Sequence, residues 1–281
     1  MRISIIIPAF NEEEFISLTL QSLVEQTLPA TEIIVVDDNS TDATAEIVSR
    51  FGQSHKNIKL FTKRSSPEHL PGGKVVQAFN YGLQHAQEFD IICKFDADLI
   101  FPEDYLEVVA ATFRENEKTG MAGGFCTIEK EGKWVVENLT NKDHIRGALK
   151  AYRSACFKDI GGLREAMGWD TVDELLAQYH DWHVQTLPEL EVKHLKPTGK
   201  TYTKAAKYKQ GQAFYSLRYG LLLTAIASAK LASKKGNPSF FMDYLSGYFK
   251  AQKNQTDFLV NAEEGKFIRS LRWKKIREKL F

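Results

Sequence analysis

Three short apolar runs constrain this chain most: Ile3-Ser4-Ile5-Ile6-Ile7, Glu32-Ile33-Ile34-Val35-Val36 and Ile91-Ile92-Cys93-Lys94-Phe95. Each has strand length and is nearly continuous in apolar character, as strands buried on both faces are. Segments of helical character follow the first two. Phe15, Leu18, Leu23 and Val24 supply one apolar face, and Ala45, Ile47 and Val48 another. With Ile58-Lys59-Leu60-Phe61 as a further strand, the alternation predicts βαβ units and a parallel sheet. Asn11 is expected to cap the first helix, and Ser40 or Thr41 the second. Leu70-Pro71-Gly72-Gly73-Lys74 opens a third helix, expected to run to about Gln87. Farther on, Met121 to Ile128 reads as a strand and Ala148 to Arg153 as helical. Ile160 to Leu163 reads as a turn, and a helix is expected from Asp170 to about Gln185.

Acids stand where two of these strands stop. Val36 is followed by Asp37-Asp38, and Phe95 by Asp96-Ala97-Asp98. Ligands of open α/β sheets gather at strand ends, and a divalent cation relieves the repulsion between neighbouring carboxylates. The ordinary alternative is that Asp98 caps the helix announced by Pro102-Glu103-Asp104. Gly72-Gly73-Lys74 lacks the glycine spacing and the Ser or Thr of a Walker loop. Lys74 could still meet a diphosphate, or simply be solvated.

Ile6-Ile7-Pro8-Ala9-Phe10-Asn11-Glu12-Glu13, Val35-Val36-Asp37-Asp38-Asn39-Ser40-Thr41-Asp42 and Phe95-Asp96-Ala97-Asp98 together resemble the family 2 glycosyltransferases of GT-A fold. The resemblance covers roughly residues 1–200 and rests on three motifs in one order. It implies an α/β fold with a mostly parallel central sheet flanked by helices. It also implies a nucleoside-diphosphate-sugar donor of UDP or GDP type, and inversion at the anomeric carbon. Pro8, Ala9, Phe10 and Glu12 would line the base pocket, and Asp38 would bind base or ribose. Phe10 offers a stacking face, though a Phe after a strand is commonly core. Asp96 and Asp98 match the DxD motif, in which the last Asp holds Mn²⁺ or Mg²⁺ and Asp96 contacts ribose or metal. His194 matches a metal-binding His found in many relatives; a nitrogen ligand suits Mn²⁺ slightly better.

The family's Glu-Asp pair carries the catalytic base. Here the matching text is Gly168-Trp169-Asp170-Thr171-Val172-Asp173-Glu174, and Val172 stands where Glu is usual. Asp173 is the expected base, with Glu174 and Asp170 as reserves. All three could equally charge the first turn of a helix.

A formal charge of +1 gives no case for a nucleic-acid partner. Three scattered cysteines, no export signal and no run of membrane-spanning length favour a cytoplasmic protein. Two domains are expected: residues 1–205, with a nucleotide half to about 100 and an acceptor half beyond it, and a helical, aromatic-rich extension over 206–281. Seven of the 37 basic residues fall in residues 265–281, against one Glu. With the apolar stretch Phe214 to Leu231, this allows peripheral contact with a membrane and a lipid-linked or glycan acceptor. No single apolar stripe marks the tail, and the aromatic helices could instead pack or pair as a homodimer. Two alternatives stay open: a nucleotidyltransferase, and a catalytically silent assembly partner.

Overall fold

The computed structural model describes residues 1–65, 72–137, 143–196 and 208–280. The chain divides into two compact units, Met1–Pro197 and Thr198–Phe281.

The first unit is built on a nine-stranded sheet. Its first half is β1 (Ile3–Ala9), β2 (Glu32–Asp38), β3 (Ile58–Lys63) and β4 (Ile91–Phe95), in the order β3-β2-β1-β4 and all parallel. Helices α1 (Ile16–Val24), α2 (Thr44–Ser54) and α3 (Gly73–Leu83) make the crossovers. The continuous apolar runs have their expected cause: every residue of β2 and β4 is buried, and all of β1 except Pro8. The sheet continues through β8 (Leu149–Arg153), β6 (Thr119–Lys130), β9 (His183–His194) and the two-residue β5 (Leu99–Ile100), while β7 (Lys133–Val136) pairs β6. Here the pairing is mixed. β8 runs antiparallel to both β4 and β6, β9 parallel to β6, and β5 antiparallel to β9.

Five expectations fail at element level. Neither Ser40 nor Thr41 caps α2, which starts at Thr44 behind Ala43 with no side-chain cap. Ala148 to Arg153 is not helical; it contains β8. Ala, Leu and Lys favour helices, but β4 and β6 offer ladder partners on either side, and that non-local pairing overrides propensity. The helix α6 (Trp169–Tyr179) stops short of Gln185, because Asp181 takes a left-handed conformation (φ +59°) and the chain turns into β9. α3 ends at Leu83 rather than near Gln87. Asn11 does not cap α1, which starts at Ile16. With φ +53° its side chain reaches the loop after β2 instead. The helix α4 (Tyr105–Glu115) follows β5, and α5 (Ser154–Asp159) follows β8.

The second unit is helical: α7 (Lys209–Ser216), α8 (Gly220–Lys234), α9 (Ser239–Lys253) and α10 (Ala262–Leu280). The apolar stretch from Phe214 to Leu231 is broken at Arg218 (φ +55°) and Gly220 (φ +74°). Helices α7 and α9 meet backbone to backbone. A Cβ on Gly211 would lie 1.7 Å from the Tyr244 carbonyl oxygen, and one on Gly247 would lie 2.0 Å from that of Tyr208. Among the described residues no helix is long and apolar enough to cross a membrane.

Candidate functional site

Because β1, β2 and β4 are parallel, the residues that end them share one edge of the sheet. Ala9 is buried opposite Asp37, Pro8 pairs with Val36, and Phe10, just past the strand, is 57% exposed. That exposure removes the core reading of Phe10. Asp38 is buried, and its Oδ1 accepts the Ser65 amide at 3.2 Å. The loops after β1 and β2 are stitched together. Asn11 Oδ1 accepts the Thr41 amide at 2.8 Å, Thr44 Oγ1 accepts the Glu12 amide at 2.8 Å, and Glu13 Oε2 accepts the Ala43 amide at 2.8 Å. Lys74 stands in the first turn of α3 behind Gly72, whose φ is +74°. A Cβ on Gly72 would lie 2.9 Å from the Ala166 carbonyl oxygen, so this glycine answers a tight turn.

The register between β5 and β9 joins two distant parts of the chain. Leu99 pairs with His194, and the Leu195 amide donates to the Asp98 carbonyl at 2.9 Å. His194 Nε2 therefore lies 3.4 Å from Asp98 Oδ2, both side chains being buried. Burial disfavours the charged imidazole, but Asp98 outweighs it and raises the His194 pKa above its ordinary value. Asp96 takes the Lys94 ammonium on Oδ1. Glu12 faces the same two aspartates. Its Oε1 accepts Lys196 Nζ at 2.9 Å, while its Oε2 is buried with no hydrogen-bond partner. Burial pushes the Glu12 carboxyl above the usual range; Lys196 opposes that, and Asp98 and Asp96 add to it. A buried carboxylate oxygen without a donor is rare unless a ligand completes it. The oxygen donor of Asp98 and the nitrogen donor of His194 fit a divalent cation of the Mn²⁺ or Mg²⁺ kind.

A second cluster lies on α6 and β8. Lys94 and Lys150 are directly opposite across β4 and β8, and their ammonium nitrogens lie 5.4 and 5.9 Å from the Trp169 ring centroid. Lys150 Nζ donates to Asp173 at 2.8 and 3.0 Å and to Glu174 at 3.1 Å, and Tyr152 donates to Asp173 at 2.5 Å. The Asp173 side chain is 2% exposed. Glu174 also accepts the Ile145 amide at 2.8 Å and contacts His144 Nδ1 at 2.9 Å. Asp170 differs: its side chain is 35% exposed, with His144 Nε2 3.7 Å away. Burial works against the Asp170 charge, but His144 and Lys150 more than offset it, holding the carboxyl below its ordinary range. Burial likewise opposes the His144 charge, yet Asp170 and Glu174 raise the imidazole to about 9.

So the structure gathers Glu12, Asp96, Asp98 and His194, and it seats Asp173 and Glu174 in a closed ion-pair network. Lys94, Lys150, Tyr152, His144 and Trp169 were not singled out from the sequence as site residues. A lysine inside an otherwise apolar strand was the signal available for Lys94.

The sequence profile of glycosyl transferase family 2 matches residues 4–158. The chain belongs to glycosyl transferase family 2. A probable glycosyltransferase, YdaM of Bacillus subtilis (strain 168), is 32% identical over 146 residues, 51% of this chain and 34% of that protein. Poly-beta-1,6-N-acetyl-D-glucosamine synthase of Staphylococcus epidermidis is 32% identical over 189 residues, 60% of this chain and 42% of that protein. The chain thus spans less than half the length of these two family members. Among solved structures, the mannosyltransferase PcManGT from Pyrobaculum calidifontis, in complex with GDP-Man and Mn²⁺, superposes with a TM-score of 0.60 at 20% identity. That match covers 100% of this chain and 81% of the other. S. aureus TarS 1-349 in complex with UDP-GlcNAc gives 0.57 at 19% identity, covering 95% and 78%. The family 2 chain has the GT-A fold of these neighbours, a mixed α/β sheet with flanking helices.

Proposed function

We propose that this chain transfers a sugar from a nucleoside-diphosphate donor of UDP or GDP type to a hydroxyl of a glycan or lipid-linked acceptor, with inversion and with Mn²⁺ or Mg²⁺. The observation that carries it is the meeting of buried Asp98 and His194, with Glu12 near enough that the Asp98 charge raises its pKa. Asp98 and His194 would hold the cation, which supplies Lewis-acid stabilisation of the departing diphosphate. Asp96, already paired with Lys94, is better suited to ribose than to the metal. Exposed Phe10 offers a face to the base, Pro8, Ala9, Glu12 and Asp38 line the same sheet edge, and Lys74 would meet the diphosphate. The donors seen in PcManGT and TarS support a nucleotide sugar.

In a single displacement, the acceptor oxygen bonds to the anomeric carbon as the bond from that carbon to the diphosphate oxygen breaks. A carboxylate takes the acceptor's proton. Asp173 and Glu174 are poor choices, since every one of their carboxylate oxygens already receives a donor. Asp170, partly exposed and in the first turn of α6, serves better. Exposed Leu221, Leu222 and Ile226 on α8 and the basic α10 suit peripheral contact with lipid.

Donor hydrolysis and binding with UDP-, GDP- and dTDP-sugars, with Mn²⁺ or chelator, test this. One nucleotide class should bind tightest, and more tightly with metal than in chelator, and Asp98→Asn should lower hydrolysis roughly a hundredfold. Turnover indifferent to chelator and to that substitution would defeat the cation role. A wild type silent with every donor would favour an assembly partner.

A further inference from the structure

His194 has a carboxylate at each ring nitrogen. Nε2 faces Asp98, and Nδ1 lies 3.4 Å from Glu137 Oε2. Glu137 follows β7 directly and is fixed at both ends. Its amide donates to the Cys126 carbonyl at 2.8 Å, and Arg146 donates to its Oε2. The Glu137 side chain is only 3% exposed, and nothing in the sequence marks it.

Cys126, Glu137 and His194 also form a buried trio whose ligand atoms all lie within 4.8 Å of one another. Such a trio could itself hold a soft metal. The charges argue against it: the Glu137 oxygen turned toward His194 is the one that receives the Arg146 guanidinium, and a cation there would face that charge. A histidine that gives one N–H to a carboxylate keeps its other nitrogen free as a donor to metal, in a fixed tautomer and ring orientation.

We propose that Glu137 is a positioning residue: it accepts the Nδ1–H of His194 and so turns the Nε2 lone pair toward a cation on Asp98. It rests on Asp98 and His194 being the cation's ligands, and it adds what makes His194 competent. Arg146 keeps Glu137 seated.

Mn²⁺ binding to the full chain, measured by electron paramagnetic resonance with UDP and with GDP, tests it without a known acceptor. The double variant Glu137→Leu/Arg146→Leu keeps net charge and should bind Mn²⁺ about 10- to 100-fold more weakly, with nucleotide binding in chelator unchanged. Glu137→Gln retains an acceptor for Nδ1–H and should restore most of the affinity. A folded double variant that binds Mn²⁺ like wild type overturns the role of Glu137. A wild type that binds no Mn²⁺ with either nucleotide overturns the cation site, and Glu137's role with it. Two measurements need no change at Glu137. Nitrogen-15 histidine spectra with Mg²⁺ and nucleotide should show His194 protonated at Nδ1, and the opposite tautomer overturns the proposal. A Co²⁺ complex should lack a thiolate charge-transfer band; such a band, lost in Cys126→Ser, would place the metal in the trio instead.

Discussion

Two groups of acids sit close together in the first unit, and they are completed differently. Around Lys150, both oxygens of Asp173 and both of Glu174 receive donors from Lys150, Tyr152, His144 or a backbone amide. Around Asp98, one Glu12 oxygen is buried without a donor, and Asp98 meets its histidine only at 3.4 Å. Lys94 lies between the groups: it pairs with Asp96, and its charge also lowers the Asp170 pKa. Buried polar groups that are fully satisfied specify structure, whereas those left incomplete mark where a ligand is due. The difference assigns scaffold work to the Asp173 group and ligand work to the Asp98 group, although both read as acid clusters in the sequence.

The largest expected effect breaks the scaffold side. Lys150→Met leaves Asp173 and Glu174 buried without their shared cation, and should cost about 3–5 kcal/mol in urea unfolding. Asp98→Asn, which removes only a long contact to His194, should cost about 1 kcal/mol or less in the same assay. Equal tolerance of the two changes would erase the distinction between the groups.

Asp170→Asn sharpens the boundary between them. It should lower sugar transfer by about 10²- to 10⁴-fold while leaving the unfolding midpoint near that of wild type. Asp173→Asn should do the reverse, moving the midpoint first. Full transfer by the Asp170 variant would return the base to Asp173 or Glu174.

The smallest effect concerns pH. His144 is raised to about 9 in the fold, against about 6.5 for an unperturbed histidine. Its charge therefore stabilises the native state fully below about 6.5, and that contribution is lost as pH rises through about 9. Thermal midpoints of wild type should fall across that window, and those of His144→Gln should fall less. Parallel curves would show that Asp170 and Glu174 do not hold the imidazolium.

Some of this was legible and some was not. The runs at β1, β2 and β4 could be read because a strand buried on both faces must be apolar along its length. The acids at their ends stood out against that background. β8 was misread for a related reason. All four residues from Leu149 to Tyr152 are buried, so no alternation marks a strand, and their propensities favour a helix. With β8 went Lys150 and Tyr152, whose partners lie more than twenty residues farther along. Glu137 was invisible because an isolated Glu beside Val136 looks like any polar residue ending a strand.

What the sequence by itself determined is local: that the runs at β1, β2 and β4 become strands, and that two of them end in carboxylates. Adjacency along the chain is enough for that, because strand burial and side-chain alternation are short-range properties. Which acids are neutralised and which are left waiting was decided only by tertiary structure. That outcome depends on register, with Leu99 opposite His194 and Lys94 opposite Lys150. Register is set by backbone hydrogen bonds between segments far apart in the chain, and a shift of one residue would turn every side chain to the other face.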